Sequence, residues 1–251
     1  LSRQRKWGVP IDENNILDVW FDSGTVFAMN DGPADIYIEG QDQHRGWFQS
    51  SAIIAAMIGR VPTKRIVSHG FVMDEYSRKL AKSLGNGRSL DELYDEFGPD
   101  VMRLWIVLSD YTDNVVFSED SMKSAAKQYF KVRNRMRYFV NNLYREEHSH
   151  ASIDPGLVKK VQGLKTLVSN EVIVNIGPSK AFRAIDTFLG NYSSGLTEPR
   201  KDEFYESELD APKRIELENE FHYIAHEVGT MLFPFVPFLS VELAKGLKEA
   251  R

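Results

Sequence analysis

Ile36-Tyr37-Ile38-Glu39-Gly40-Gln41-Asp42-Gln43-His44-Arg45-Gly46-Trp47-Phe48 is the stretch on which the fold of the first half turns. Ile36-Tyr37-Ile38 predicts a short strand ending at Glu39-Gly40. Gly46 to Ile58 predicts a helix, with Trp47, Phe48, Ile53, Ile54 and Met57 supplying apolar surface. Arg65 to Val72 predicts the next strand. A strand, a helix and a strand in that order imply a parallel pair with a crossover. Ligands of such sheets collect beyond the carboxyl ends of the strands, where residues 39–47 fall. Those residues combine two acids, amides, an imidazole, a guanidinium and a tryptophan. A satisfied structural network can use such groups. A buried turn this polar is costly without a polar ligand, so function is the favoured reading.

Downstream of the second strand lies Arg78-Lys79-Leu80-Ala81-Lys82-Ser83-Leu84-Gly85-Asn86. Two lysines three positions apart, with Ser83, Gly85, Asn86 and Gly87, suit a loop that brings cations and backbone donors onto a polyphosphate. A flexible lysine there can follow negative charge onto a departing pyrophosphate, which favours the transition state over the ground state. In isolation the same pattern reads as a basic surface turn. Upstream, Asp18-Val19-Trp20-Phe21-Asp22-Ser23-Gly24 places aromatics between two carboxylates. It reads equally as a pocket wall or as a core tryptophan with capping aspartates. His69 follows a strand and precedes Gly70; as a lone histidine it has no chemistry of its own to declare.

The chain has 251 residues, 42% hydrophobic and 27% charged, within the ordinary range for a globular protein. It has no cysteine, which rules out disulfides and thiolate zinc sites and fits a reducing compartment, hence an expected cytoplasmic location. No apolar run approaches the ~20 residues of a membrane span. A net charge of -5 requires any nucleic-acid contact to rest on local basic patches.

Ser89-Leu90-Asp91-Glu92 predicts a capping box, with its helix stopping near Phe97 before Gly98-Pro99. A second helix from Asp100 to about Ser109 buries Val101, Leu104, Trp105 and Leu108. From Ser118 onward the reading is nearly all helix. Met122, Ala126, Tyr129, Arg133, Met136, Val140 and Leu143 define one face of a long helix, broken only by Arg133. Lys123, Lys127 and Lys131 form a separate stripe, open to two readings: a solvated face or a nucleic-acid contact. Leu157 to Leu189 is helical apart from Val172 to Pro178, a strand or a buried turn. Asn191 to Lys201 reads as a loop, and Pro212 opens a helix carrying Ile215, Phe221, Ile224, Val228 and Leu232. His222 and His226 have zinc-compatible spacing but no evident third ligand, and an ordinary bundle face is the favoured reading. The predicted fold class is therefore α/β followed by all-α.

These stretches together resemble the class I aminoacyl-tRNA synthetases, and among them the isoleucyl-tRNA synthetases of bacterial type. Lys79-Leu80-Ala81-Lys82-Ser83 resembles that family's Lys-Met-Ser-Lys-Ser motif; Leu80 and Ala81 depart from it. Asp18 to Gly24 resembles the stretch before its adenylate site, and Glu39 to Phe48 resembles the segment that binds the adenylate. Ser2-Arg3-Gln4-Arg5 with Trp7-Gly8-Val9-Pro10 resembles the point of return from an inserted editing domain.

The resemblance implies a catalytic role for Lys79, Lys82 and Ser83. It implies ATP or adenylate binding by Glu39, Gly40, Asp42, Gln43, His69 and Lys82, and an isoleucine pocket formed by Trp20, Gln43 and Trp47. Contact with tRNA through Lys123, Lys127 and Lys131 follows by the same route. ATP is the implied substrate, with Mg2+ and with isoleucine and tRNA(Ile) as partners; no resident zinc or other metal site is implied.

The family's His-x-Gly-His half has no counterpart in this sequence. The expectation is the later portion of a ligase: residues 1–117 as the C-terminal half of a Rossmann-type catalytic domain and 118–251 as a helical anticodon-binding-like domain. Such a portion is expected to be inactive alone and to need the missing N-terminal half. A non-catalytic tRNA-binding module of the same ancestry, and a valine- or leucine-specific ligase, are the competing readings.

Overall fold

The computed structural model describes residues 16–81, 84–145 and 147–249. The Ser2–Pro10 resemblance, Lys82 and Ser83 lie outside them. The chain divides into two compact units, Leu1–Phe71 with Thr112–Asn114, and Val72–Tyr111 with Val115–Arg251.

The first unit contains α1 (Val19–Thr25), β1 (Tyr37–Gly40), α2 (Trp47–Met57) and β2 (Ile66–His69). Asp18 caps α1, its carboxylate accepting from the Trp20 amide at 2.7 Å. β1 and β2 pair in parallel, with Glu39 opposite Ser68 and Gly40 opposite His69. The expected strand–helix–strand order is therefore present, and the candidate residues cluster at the carboxyl end of the pair.

The strand expected over 65–72 divides, because β2 ends at His69 and β3 (Val72–Met73) belongs to the second unit. Gly70 gives the physical reason. A Cβ there would lie 2.2 Å from the Asp113 carbonyl oxygen, so a neighbouring backbone passes where a continuous strand's side chain would stand. Asn114 fastens this crossing, its side-chain oxygen accepting from the Phe71 amide at 2.8 Å.

In the second unit β3 pairs in parallel with β4 (Val115–Val116). Between them run α3 (Leu90–Phe97) and α4 (Pro99–Leu108). The predicted capping box is present: the Ser89 hydroxyl accepts from the Glu92 amide, and the Glu92 carboxylate accepts from the Ser89 amide, both at 3.1 Å. Gly98, at φ 77°, takes the left-handed turn between the helices.

Helices α5 (Glu119–Asn141), α6 (Pro155–Ser169), α7 (Pro178–Tyr192), α8 (Lys201–Glu206), α9 (Pro212–Leu232) and α10 (Pro237–Glu249) follow. Their core joins Met136, Phe139, Val161, Phe182, Ile185, Leu189, Phe221, Ile224 and Leu232. On α5 the buried face is Met122, Ala125, Val132, Met136 and Phe139. The expected face is thus displaced by about one position: Ala126, Tyr129, Arg133 and Val140 are only half-buried. Arg133 does not break the core, because its guanidinium reaches Glu242 of α10 at 3.6 Å.

Two loop expectations are corrected. Asn191 to Lys201 continues as helix: α7 runs to Tyr192, a wide turn spans Ser193–Thr197, and a tight turn spans Glu198–Arg200. Gly195 sits inside a widened turn that tolerates it, and Pro199 at the start of a new turn, where no amide is required. Val172 to Pro178, expected as a strand or a buried turn, is neither: a widened helical turn, Asn170–Asn175, runs into it with Ile173 and Val174 exposed, and Ile176 at φ 53° stops it.

Candidate functional site

The junction after β1 forms from local backbone demands. Glu39 accepts from the Gly40 amide at 3.0 Å, so its carboxylate folds back over the end of the strand. A Cβ on Gly40 would meet the movable end of the Asp42 side chain at 2.7 Å, which shows how closely Asp42 folds back on the strand end. Gln41–Arg45 forms a single tight turn, after which Gly46 adopts φ -137°, ψ -114° and opens α2. The Gln43 side-chain oxygen stands in as the helix cap, accepting from the Trp47 amide at 3.1 Å.

The aromatics draw the first unit together. The Trp47 indole donates to the Ser23 carbonyl of α1 at 3.0 Å, and its ring stacks on Tyr37 at 4.3 Å. The Trp20 ring reaches 3.0 Å from where a Gly46 Cβ would be. Trp20 and Gln43 therefore meet beside Gly46, while the Trp47 ring turns to Ser23 and Tyr37. Trp20 is 46% exposed, so it is not a core tryptophan.

His69 stands on β2 across from Gly40. Its Nδ1 is 2.8 Å from the Gly70 carbonyl, which makes Nδ1 the donor, and its Nε2 lies 4.0 Å from Glu39 Oε1. The half-exposed pair gives this strand end one carboxylate and one imidazole facing the same space. Tyr37, which sequence reasoning missed, carries a buried hydroxyl with no partner. It lies in the predicted strand, but nothing in the sequence marked the hydroxyl.

In the second unit the lysine loop is anchored by Asp74 and Asn86. Asp74 accepts from the Tyr76 and Arg78 amides at 3.0 and 2.9 Å, and from the Arg78 guanidinium at 2.8 Å. Asn86 donates to Asp74 at 2.9 Å and to the Lys79 carbonyl at 3.3 Å, and accepts from the Ala81 amide at 3.1 Å. Burial works to raise the Asp74 pKa. The bonds from Asn86, Arg78 and Tyr76 outweigh it and hold the carboxyl at about 2. Asp74 is a second residue that sequence reasoning missed.

Residues 12–118 match the family of class I tRNA synthetases (I, L, M and V). The chain is 34% identical to the isoleucine–tRNA ligase of Persephonella marina over 256 residues, which cover 94% of this chain and 27% of the relative. It is 35% identical to that of Nautilia profundicola over 240 residues, 90% of this chain and 26% of the relative. Over 141 residues, 53% of the chain and 15% of the relative, it is 47% identical to the isoleucine–tRNA ligase of Desulfotalea psychrophila. The resemblance read from the sequence is thus borne out, and the chain spans about a quarter of the length of the first two of these relatives.

Solved structures share its fold. A ternary complex of Agrobacterium radiobacter LeuRS with tRNA and LeuAMS matches with TM-score 0.74 at 18% identity, over 98% of this chain and 35% of that one. Mycobacterium tuberculosis methionyl-tRNA synthetase bound by methionyl-adenylate matches with TM-score 0.66 at 18% identity, over 84% of this chain and 44% of that one. The α/β and then helical order agrees with this synthetase fold.

The remaining sequence candidates lie on the helical part. Lys123 pairs with Glu119 at 3.1 Å and Lys131 with Asp186 at 3.5 Å, while Lys127 is exposed. Two of the three cations in the stripe are therefore matched by carboxylates. His222 is not alone. His148 stacks on it at 4.7 Å, and His150 Nε2 lies 3.0 Å from its Nδ1. His226 turns instead to Glu227 at 3.2 Å. Among the described residues no three His, Asp or Glu side chains are grouped to hold a metal, and no helix is long and apolar enough to cross a membrane. The best-formed hollow near this cluster, about 440 Å³ between α9 and α10, is lined by His222, His226, Phe233, Val241 and Leu247 and belongs to the helical unit.

Proposed function

We propose that this chain is the later portion of an isoleucine–tRNA ligase, serving ATP-dependent formation of isoleucyl-adenylate and transfer of isoleucine to tRNA(Ile). The observation that carries the reading is identity to isoleucine–tRNA ligases across 94% of the chain, with the strand-end junction and the lysine loop inside the matched length. Residues 1–117 are the second half of the Rossmann-type catalytic domain, and 118–251 are the anticodon-binding-like helices. The location is the cytoplasm.

In the first step the isoleucine carboxylate attacks the α-phosphorus of ATP and pyrophosphate leaves. Trp20, Gln43 and Trp47 shape the pocket for the aliphatic side chain. The approach of Trp20 and Gln43 beside Gly46 supports this, since an aromatic wall suits a branched hydrocarbon. Glu39, Gly40, Asp42, Gln43 and His69 hold the nucleotide side of the adenylate at the strand end. Lys79, Lys82 and Ser83 stabilise the charge that gathers on pyrophosphate. In the second step a ribose hydroxyl at the tRNA terminus attacks the mixed anhydride and AMP leaves. Mg2+ would be carried in on the ATP phosphates. Lys127, with Lys123 and Lys131 beside it, meets tRNA phosphates in a salt-sensitive way.

Isoleucine-dependent exchange of pyrophosphate into ATP tests the reading. The chain alone is expected to give none; exchange and charging appear when the separately expressed N-terminal catalytic portion is added. Lys82→Ala then lowers the exchange rate by roughly 10²–10³-fold. Binding of tRNA without charging in any combination would leave the non-catalytic module as the correct reading. Restoration by valine or leucine in place of isoleucine would reassign the specificity.

A further inference from the structure

Tyr37 opens β1 and is 5% exposed. Its amide donates to the Arg65 carbonyl at 2.9 Å, so its backbone is fixed to the segment that enters β2. Its ring stacks on two others, Trp47 at 4.3 Å and 19° and Phe48 at 6.2 Å and 23°. Trp47, the first residue of α2, is therefore held twice. The stack on Tyr37 fixes the tilt of the indole plane. The bond from Nε1 to the Ser23 carbonyl at 3.0 Å fixes the turn of the ring within that plane. With both constraints made, Trp47 is still half-buried, so part of its surface is left for another group to touch. The Tyr37 hydroxyl takes no part in this: it is buried and has no hydrogen-bond partner among the described residues.

We propose that Tyr37 is a positioning residue for the isoleucine pocket: its ring, and not its hydroxyl, sets the plane of the Trp47 indole that the aliphatic side chain meets. The proposal rests on the ligase reading and deepens it by naming what orients one wall of that pocket. Two physical arguments carry it. A tryptophan at the start of a helix, next to Gly46, has several orientations open to it, and a wall that must be ordered on binding weakens the binding it supports. Parallel stacking of two rings removes that loss, because tilted orientations forfeit the contact. The platform is also complete before a ligand arrives, since the Arg65 bond and the Phe48 ring already hold Tyr37 in place. Dispersion contact falls steeply with separation, so a ring free to tilt costs affinity for a hydrocarbon side chain and leaves the nucleotide side of the site unaffected.

Two measurements test this. In the full chain, solvent exchange of the Trp47 indole N–H is followed by NMR, with the signal assigned through Trp47→Phe. Tyr37→Met keeps an apolar side chain but no ring, and is expected to speed that exchange roughly tenfold, the scale of one lost ring–ring contact. The Ser50 amide, bonded to the Gly46 carbonyl at 3.0 Å at the start of the same helix, should keep its rate. Tyr37→Phe keeps the ring, so its indole should behave as in wild type, with a thermal midpoint no lower, since an unpartnered buried hydroxyl has gone. With the N-terminal catalytic portion added, pyrophosphate exchange reads the function. Tyr37→Met should raise the KM for isoleucine roughly tenfold and hold kcat and the KM for ATP within about twofold, whereas Tyr37→Phe should match wild type in all three. Unchanged indole exchange in Tyr37→Met overturns the orienting contact. Equal acceleration at Ser50 means loss of fold and overturns it as well. A loosened indole with an unchanged KM for isoleucine overturns the positioning role, as does a raised KM in Tyr37→Phe. A loosened indole in Tyr37→Met with no pyrophosphate exchange by the wild-type pair instead sinks the ligase reading, and the pocket role with it.

Discussion

Phe139, Phe182, Phe204, Phe221 and Phe235 of the second unit are each at most 1% exposed, packed where α5, α7 and α9 meet. In the first unit the well-buried apolar side chains are Phe27, Tyr37, Phe48 and Ala55, while Met29, Ile38, Met57 and Val61 are more than half exposed. Both stretches are rich in apolar residues, so composition does not separate them. Geometry does. Helices wrapped around one another bury a stripe of each, whereas a parallel pair of strands has two faces and two edges to cover. The one long helix among the first unit's described residues, α2, cannot do that. Its chemistry is accordingly carried by hydrogen-bonded turns and stacked aromatics, with little core beneath them.

The largest break in this comparison comes from the helical core. Phe139→Ala removes a ring packed on Phe221 at 5.2 Å and Tyr192 at 5.7 Å. It should cost about 3–5 kcal/mol, read as a lowered midpoint in urea with little change in slope. A loss under about 1 kcal/mol would show that this core is not the chain's main source of stability.

A smaller effect concerns the histidines. Burial, then the Arg145 charge, pushes the His148 pKa down; burial, then His226, does the same for His150. Glu218 and Glu227 oppose these shifts, and Lys165 is already engaged with Glu227. With folded values below the unfolded value of about 6.5, the unfolded chain binds more protons in between. Their contribution is therefore complete above that pH and is lost as pH falls through 6.5 toward the folded values. Thermal midpoints measured from pH 7.5 to 5 should fall, and His148→Gln with His150→Gln should flatten the profile. Identical slopes in the two proteins would reject the assignment.

The smallest effect sharpens the contrast from the other side. Met57 is 79% exposed at the end of α2, so Met57→Glu should change unfolding free energy by no more than about 0.5 kcal/mol. A larger loss in urea would mean that this face is covered in solution.

Much of the site was legible because its signals are local. The Ser89 box, the turn after Gly40 and the cap role at Asp18 depend on residues a few positions apart. The buried face of α5 was less legible. Two adjacent apolar stripes compete on one helix, and only the neighbours choose between them; Ala125 and Val132 won over Ala126 and Arg133. Asp74 was invisible for a similar reason, since its partner Asn86 is twelve residues away across a turn that the sequence did not predict.

Sequence alone determined that a strand ends in a crowded polar turn, that a lysine loop follows, and that helices close the chain. Those are short-range matters of capping, turn chemistry and hydrophobic period. Tertiary structure decided that Trp20 and Gln43 meet beside Gly46, that Asn86 bonds both Asp74 and Ala81, and that three histidines from two segments meet on α9. Each depends on where a distant segment packs, which is a property of the whole set of contacts and of no single stretch.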